Sequence, residues 1–218
     1  MDTDDFDTTL LNAAMALAAE KGWASVSLLD AARKAELSFS ETRTRFPLRS
    51  SLLLRLGRLA DDSALADNND TSPARERLFD LLMRRFDVFQ IYRDGVRAVL
   101  HALPTDPALT LLLSGATFES MRWMTDAAGI PVTGIKGFVN TNIVIGIWTH
   151  TLRVWEKDDS EDMSRTMAAL DQALDKAARF KLFAGDAAPD DDLSHGSDFM
   201  TSGLPEPENI SFNEKPDY

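Results

Sequence analysis

Residues 31–54 read AARKAELSFSETRTRFPLRSSLLL, and the punctuation of this stretch decides the fold. Ala31, Ala32 and Ala35 continue an apolar stripe that Leu28 begins at helical spacing, so a short helix is expected to end here. Ser38 or Ser40 then offers a side-chain oxygen to the first free N–H groups of a new helix. That helix, SETRTRF, must stop before Pro47, because the residue preceding a proline is pushed out of helical backbone. A further helix begins near Arg49 and carries Leu52 and Leu53 inward.

Working outward from this stretch, residues 9–22 (TLLNAAMALAAEKG) repeat apolar side chains at three and four, and Gly22 is expected to close them with a left-handed cap. Ser25 or Ser27 can cap the helix that leads into Ala31. Short helices with tight turns therefore fill the first fifty or so residues. The polar run DNNDTSP, residues 67–73, is the clearest internal boundary, and Ser72-Pro73 predicts a helix start with proline at the first position.

Beyond it, residues 73–90 place Leu78, Leu81, Leu82, Phe86 and Phe89 on one face and alternating charges on the other. Residues 94–103 and 108–129 continue the helical pattern on either side of the turn signal LPTDP. Residues 136–155 are apolar nearly all round, which predicts burial on every side in a core or a subunit interface. Residues 160–180 should form a closing helix with acids at its positive end and Lys176 and Arg179 near its negative end. From 186 to 218, Pro, Gly, Ser and acids without an apolar period read as a disordered acidic tail. No repeat and no run of strands interrupts this all-α pattern.

The net charge of -12 argues against a polyanionic partner only until its distribution is followed. Residues 186–218 hold nine acids against the single base Lys215, so most of the negative charge lies in the tail. Residues 21–58 hold eight bases against Asp30, Glu36 and Glu41. A modest nucleic-acid-facing surface needs this kind of segregation.

The absence of cysteine removes disulfide and thiolate chemistry. His101, His150 and His195 have no metal-ligand spacing around them, and no metal or cofactor is expected. No phosphate-cradling glycine loop or nucleophile elbow occurs, and the chain reads as a non-enzyme. The N-terminus carries four Asp where a secretory signal would be basic, and no apolar run is long enough to span a bilayer, which together favour the cytoplasm.

Taken in order and without a gap, residues 10–53 resemble the N-terminal domain of the TetR family of bacterial transcription regulators. Leu10, Leu11, Ala13, Ala14 and Leu17, then Gly22 and Trp23, match the family's first helix and its glycine-aromatic end. Ser27, Leu28, Leu29, Asp30, Ala31 and Ala32 match the opening of its second helix, and Ala35, Leu37, Ser38, Phe46, Pro47 and Arg49 keep the outline of its turn and recognition helix. The surface departs further: Leu29 stands where the family commonly has Arg, Phe39 for Lys, Ser40 for Gly, Arg43 for Tyr, and Glu36 for the turn glycine.

The resemblance implies a TetR-like fold with a three-helix helix-turn-helix domain over residues 1–60 and a larger helical bundle over 61–185 that binds ligand and dimerises, ahead of the tail at 186–218. It implies a DNA-binding transcriptional regulator, a repressor, that contacts an operator through Ser27, Ser38, Phe39, Ser40, Glu41, Arg43, Arg45 and Arg49. Its homodimer would form through the last two helices. Phe118, Met121, Trp123 and Met124, with Trp148, are the richest group of large soft side chains and the expected lining for a hydrophobic effector. Residues 134–180 also resemble the TetR-like lipid-binding accessory family of ubiquinone biosynthesis. That resemblance implies an alternative, a lipid- or quinone-binding protein that does not bind DNA.

Overall fold

Two serines start the short helices of the N-terminal part. The computed structural model describes residues 3–66, 71–179 and 182, and within them it contains nine α-helices and no strand. Helix α1 (Thr3–Lys21) is followed by a single 3-10 turn at Trp23–Ser25 and then α2 (Leu28–Lys34). Ser27, not Ser25, caps α2 by accepting from the Asp30 N–H at 3.0 Å. Ser38, not Ser40, caps α3 (Phe39–Arg45), accepting from the Glu41 N–H at 3.4 Å. Pro47 ends α3 as expected, and α4 (Ser50–Leu65) begins just past Arg49.

Gly22 departs from its expected cap. Its φ is 80° but its ψ is 147°, a glycine-only extended conformation, so the chain leaves α1 sharply without a left-handed helical residue. The left-handed residue lies one turn later, at Glu36, where φ is 56°. Leu37 N–H donates to Ala32 O at 2.8 Å and Glu36 N–H to Arg33 O at 3.2 Å, a Schellman end for α2. The same motif closes α7 (Pro107–Ala127), where glycine occupies the equivalent place: Ile130 N–H donates to Thr125 O at 3.1 Å and Gly129 has φ 82°.

The larger set of helices comprises α5 (Ala74–Ile91), α6 (Arg93–Ala102), α7, α8 (Gly134–Glu156) and α9 (Ser164–Arg179), and α4 leads into it from the N-terminal helices. Helix α5 packs against α4, α7 and α9, and α8 packs between α7 and α9. Helix α1 packs along α6, where a Cβ on Gly95 would lie 2.7 Å from the Met15 carbonyl oxygen. Only glycine lets these two helices approach so closely. Leu10, Leu11, Trp23, Leu52, Leu78, Leu82, Phe86, Leu170 and Leu174 are all fully buried. Each such side chain stabilises the fold by about 1.5–3 kcal/mol through burial alone.

Pro73 is the residue before α5, not its first residue. Of the acids expected inside α9, Glu161 and Asp162 precede it instead, Asp162 accepting from the Ser164 N–H; Asp158, upstream of the expected span, accepts from both the N–H and the hydroxyl of Thr166, at 2.8 and 2.7 Å. Met163, at φ 53°, turns the chain between Asp162 and Ser164, the first residue of α9. Helix α8 is not covered all round. Gly137, Val144, Ile147, Trp148 and Trp155 face inward, whereas Ile135, Phe138 and Val139 are exposed on the single chain. Arg85, on the expected charged face of α5, is buried at 3% exposure. The acidic segment at 186–218, with His195, falls outside the described residues.

Candidate nucleic-acid interface and internal cavity

Thr42 and Phe46 anchor α3 from beneath. Thr42 is buried and its hydroxyl donates to Ser38 O at 2.8 Å, while Phe46 is buried against the core formed with Leu52 and Leu53. The opposite face of α3 is open. Phe39, Ser40, Glu41, Arg43 and Thr44 are exposed there, beside Ser27, Leu29 and Arg33 of the preceding segment. A short helix held by its neighbours with one face free is the geometry a recognition helix needs to enter a major groove.

The expected contact residues divide sharply by what already holds them. Arg49 Nη1 donates to the carbonyls of Trp23, Ala24 and Val26 at 3.0, 2.9 and 3.2 Å, and its guanidinium lies 5.1 Å from the Trp23 ring centre. It ties the start of α4 to the turn between α1 and α2. Arg45 bonds Asp7 at 3.3 Å and Glu41 at 2.7 Å and lies 4.7 Å over the Phe6 ring, joining α3 to α1. Glu41 is thereby drawn along its own helix. Arg43 is different: it is exposed and donates to the Pro47 carbonyl at 2.6 Å, a local bond.

Several other bases of the segment are similarly paired, Lys21 and Arg33 with Asp30, and Lys34 with Glu20. The Lys21 ammonium, with Ser27 and Arg33, holds the Asp30 carboxyl below its ordinary range. Two residues of this face were not expected from the sequence. Thr44 lies one turn beyond Ser40, to whose carbonyl its hydroxyl donates at 3.0 Å. Arg33 reaches over the exposed Phe39 ring at 5.8 Å. The one-turn spacing of Ser40 and Thr44 in the sequence was a usable signal; the approach of Arg33 requires the turn geometry.

A cavity of about 580 Å³ lies between the N-terminal helices and the larger bundle. Its wall takes Met15 from α1, Leu53, Leu54, Leu56, Gly57, Arg58 and Asp61 from α4, Arg85 and Phe89 from α5, Val96, Val99 and Leu100 from α6, and parts of α7 and α8. Trp123 and Trp148 of the expected ligand residues line it. Met121 and Met124 are fully buried in the core, and Phe118 packs 6.5 Å from Phe138; none of these three is on the wall. Trp123, Arg58, Ser114 and Glu119 are exposed and mark the mouth.

The cavity also holds a group the sequence did not reveal. Arg85 pairs with Asp61, donates to the Ser120 hydroxyl at 2.6 Å, and lies 4.8 Å from the Trp148 ring centre. Ser120 in turn donates to the Asp61 carboxylate at 2.5 Å. Burial pushes the Arg85 guanidinium down to about 9, so it remains a cation at neutral pH. Among the described residues no cluster of His, Asp or Glu could hold a metal ion, and no helix is long and apolar enough to cross a membrane.

No protein-family profile matches the chain, and no curated protein matches it. Solved structures do. A TetR transcriptional regulator from Nitrosomonas europaea aligns over 80% of this chain and 98% of its own, with 22% identity and a TM-score of 0.68. A TetR transcriptional regulator from Rhodococcus sp. RHA1 aligns over 78% of this chain and 93% of its own, with 18% identity and a TM-score of 0.58. The chain has the TetR regulator fold.

Proposed function

We propose that this protein is a homodimeric transcriptional regulator, a repressor, whose helix α3 reads an operator and whose cavity holds a mainly hydrophobic effector. One observation carries the reading: α3 is anchored from beneath and presents Ser40, Arg43 and Thr44 on an open face. Short hydroxyl side chains and a cation suit phosphate and base-edge contacts, and Phe39 suits the methyl group of thymine. Ser27, Ser38 and Glu41 are exposed as well and belong to the same reading. Arg45 and Arg49 contribute indirectly, by fixing α3 and α4 to α1 and its turn.

The dimer in this reading forms through α8 and α9. The exposed Ile135, Phe138 and Val139 support it, since apolar side chains at one end of a helix favour burial against a second copy. The cavity supports effector control, because α1 and α4 of the helix-turn-helix part form its wall together with the bundle. A ligand with different affinity for two placements of those helices would change DNA affinity. The protein would act in the cytoplasm, where its operator lies.

The alternative, a lipid- or quinone-binding protein indifferent to DNA, is favoured by a specific observation: Leu29 and Phe39 place exposed apolar surface where phosphate contacts would lie, and Arg45 and Arg49 are used internally. Binding to genomic DNA fragments at graded salt separates the two. The regulator binds a subset of fragments, with affinity falling steeply as salt rises. A dimer that copurifies with lipid and retains no fragment at low salt supports the alternative and overturns the regulator.

A further inference from the structure

The cavity is apolar over most of its wall, with Val96, Val99, Leu103, Leu113, Ile145 and Leu152 among its residues. Away from the mouth its charge lies at Asp61 and Arg85, joined by Ser120, while the Thr110 and Thr149 hydroxyls on the wall already donate to backbone carbonyls. The two charges of this pole balance each other, so a charged ligand group placed there would leave a net buried charge. Asp61 is also the more open of the pair: its side chain is 22% exposed, against 4% for Arg85.

A carboxylate has about four acceptor positions. Arg85 and Ser120 do not fill them at Asp61. Arg85 Nε is buried and has no hydrogen-bond partner. Covered by protein, that atom is out of a ligand's reach, so what the pole offers the cavity is the spare acceptor capacity of Asp61. A hydroxyl group, which can donate to that carboxylate while staying uncharged, serves such a pole without upsetting its charge balance.

We infer that the effector is an uncharged, largely apolar molecule carrying a hydroxyl group, of phenol or alcohol type, that seats against Asp61, Arg85 and Ser120. This rests on reading the cavity as the effector site and sharpens what that site selects. The rim agrees with it: Arg58 and Glu119 at the mouth are opposite charges and favour neither an anion nor a cation.

Equilibrium dialysis of the full-length protein against three matched probes at pH 7 tests the inference: 4-ethylphenol, its methyl isostere 4-ethyltoluene, and the anion 4-ethylbenzoate. The phenol is expected to bind about tenfold or more tightly than either of the others, because its hydroxyl finds partners at the pole. A wholly apolar cavity would reverse the order of phenol and toluene, since the hydroxyl would be buried unpaired, and that order overturns the inference. Asp61→Asn leaves Arg85 as an unbalanced cation, so the benzoate should gain about tenfold relative to the phenol. An unchanged ratio in a folded variant also overturns it. If Asp61→Asn does not fold, the comparison on the unaltered protein decides. Binding of none of the three overturns the effector site itself, and leaves DNA binding to be judged by its own assay.

Discussion

Arg43 and Arg45 are two residues apart, and the structure gives them different surroundings. Arg45→Ala removes bonds to Asp7 and Glu41 and the contact over Phe6, so it should cost about 1 to 2 kcal/mol of folding stability, read by chemical denaturation. Arg43→Ala removes only a bond to the neighbouring Pro47 carbonyl and should leave stability nearly unchanged. Its effect should appear in DNA affinity, as a loss of about 1 to 3 kcal/mol. A destabilised Arg43→Ala, or one that binds DNA as before, would move the reading surface away from this residue. The sequence showed both arginines on a short basic helix. It could not distinguish them, because the partners of Arg45 lie on α1 as well as on its own helix.

Asp158 ties the stability of the fold to pH. Burial disfavours its charged form, but hydrogen bonds from Ser160 and Thr166 outweigh that and lower its carboxyl from 3.8 to about 2. The folded value is depressed, so its contribution to stability is complete above about 4 and is lost as pH falls through 2. The amount at stake is about 2 kcal/mol. Asp158→Asn should lose most of it at pH 7 and flatten the acid limb of a stability-pH curve. An unchanged acid limb would mean the cap of α9 rests on other groups.

At the scale of elements, the turn between α2 and α3 is the informative one. Glu36 occupies a left-handed position that Gly129 occupies at the end of α7. An L-residue pays about 1 to 2 kcal/mol for that conformation, part of which glycine gives back through the flexibility of its unfolded chain. Glu36→Gly should therefore raise stability by up to about 1 kcal/mol, measured by thermal unfolding, with no change in helix content. A loss of stability would show that Glu36 makes a compensating contact.

Helix positions were largely legible from caps and prolines. Ser27, Ser38 and Pro47 act locally, and their effects can be read from neighbouring residues. The misplaced details have non-local causes. Gly22 takes an extended conformation instead of a left-handed cap, in the turn whose carbonyls accept from Arg49. The acids before α9 cap it from outside because Met163 turns the chain. The Asp61–Arg85–Ser120 group was invisible because its members come from α4, α5 and α7, and only packing brings them together.

At the scale of the whole molecule, the helix-turn-helix part is not an appendage. Helix α1 is pressed onto α6 through Gly95, α4 packs on α5 and α7, and the cavity is walled by both parts. A ligand entering between them touches the elements that carry α3. The fold was legible because residues 10–53 form a continuous pattern of core positions. The use of its open face was less legible, because surface side chains vary without changing the fold. That α3 reads DNA as part of a two-fold dimer is tested by selection from a library of random duplexes with the purified full-length protein at low salt. One pseudo-palindrome should be enriched, with half-sites about one helical turn apart or a multiple of it, and the enrichment should be lost in Arg43→Ala. A library that emerges from repeated selection with no enriched sequence would contradict it.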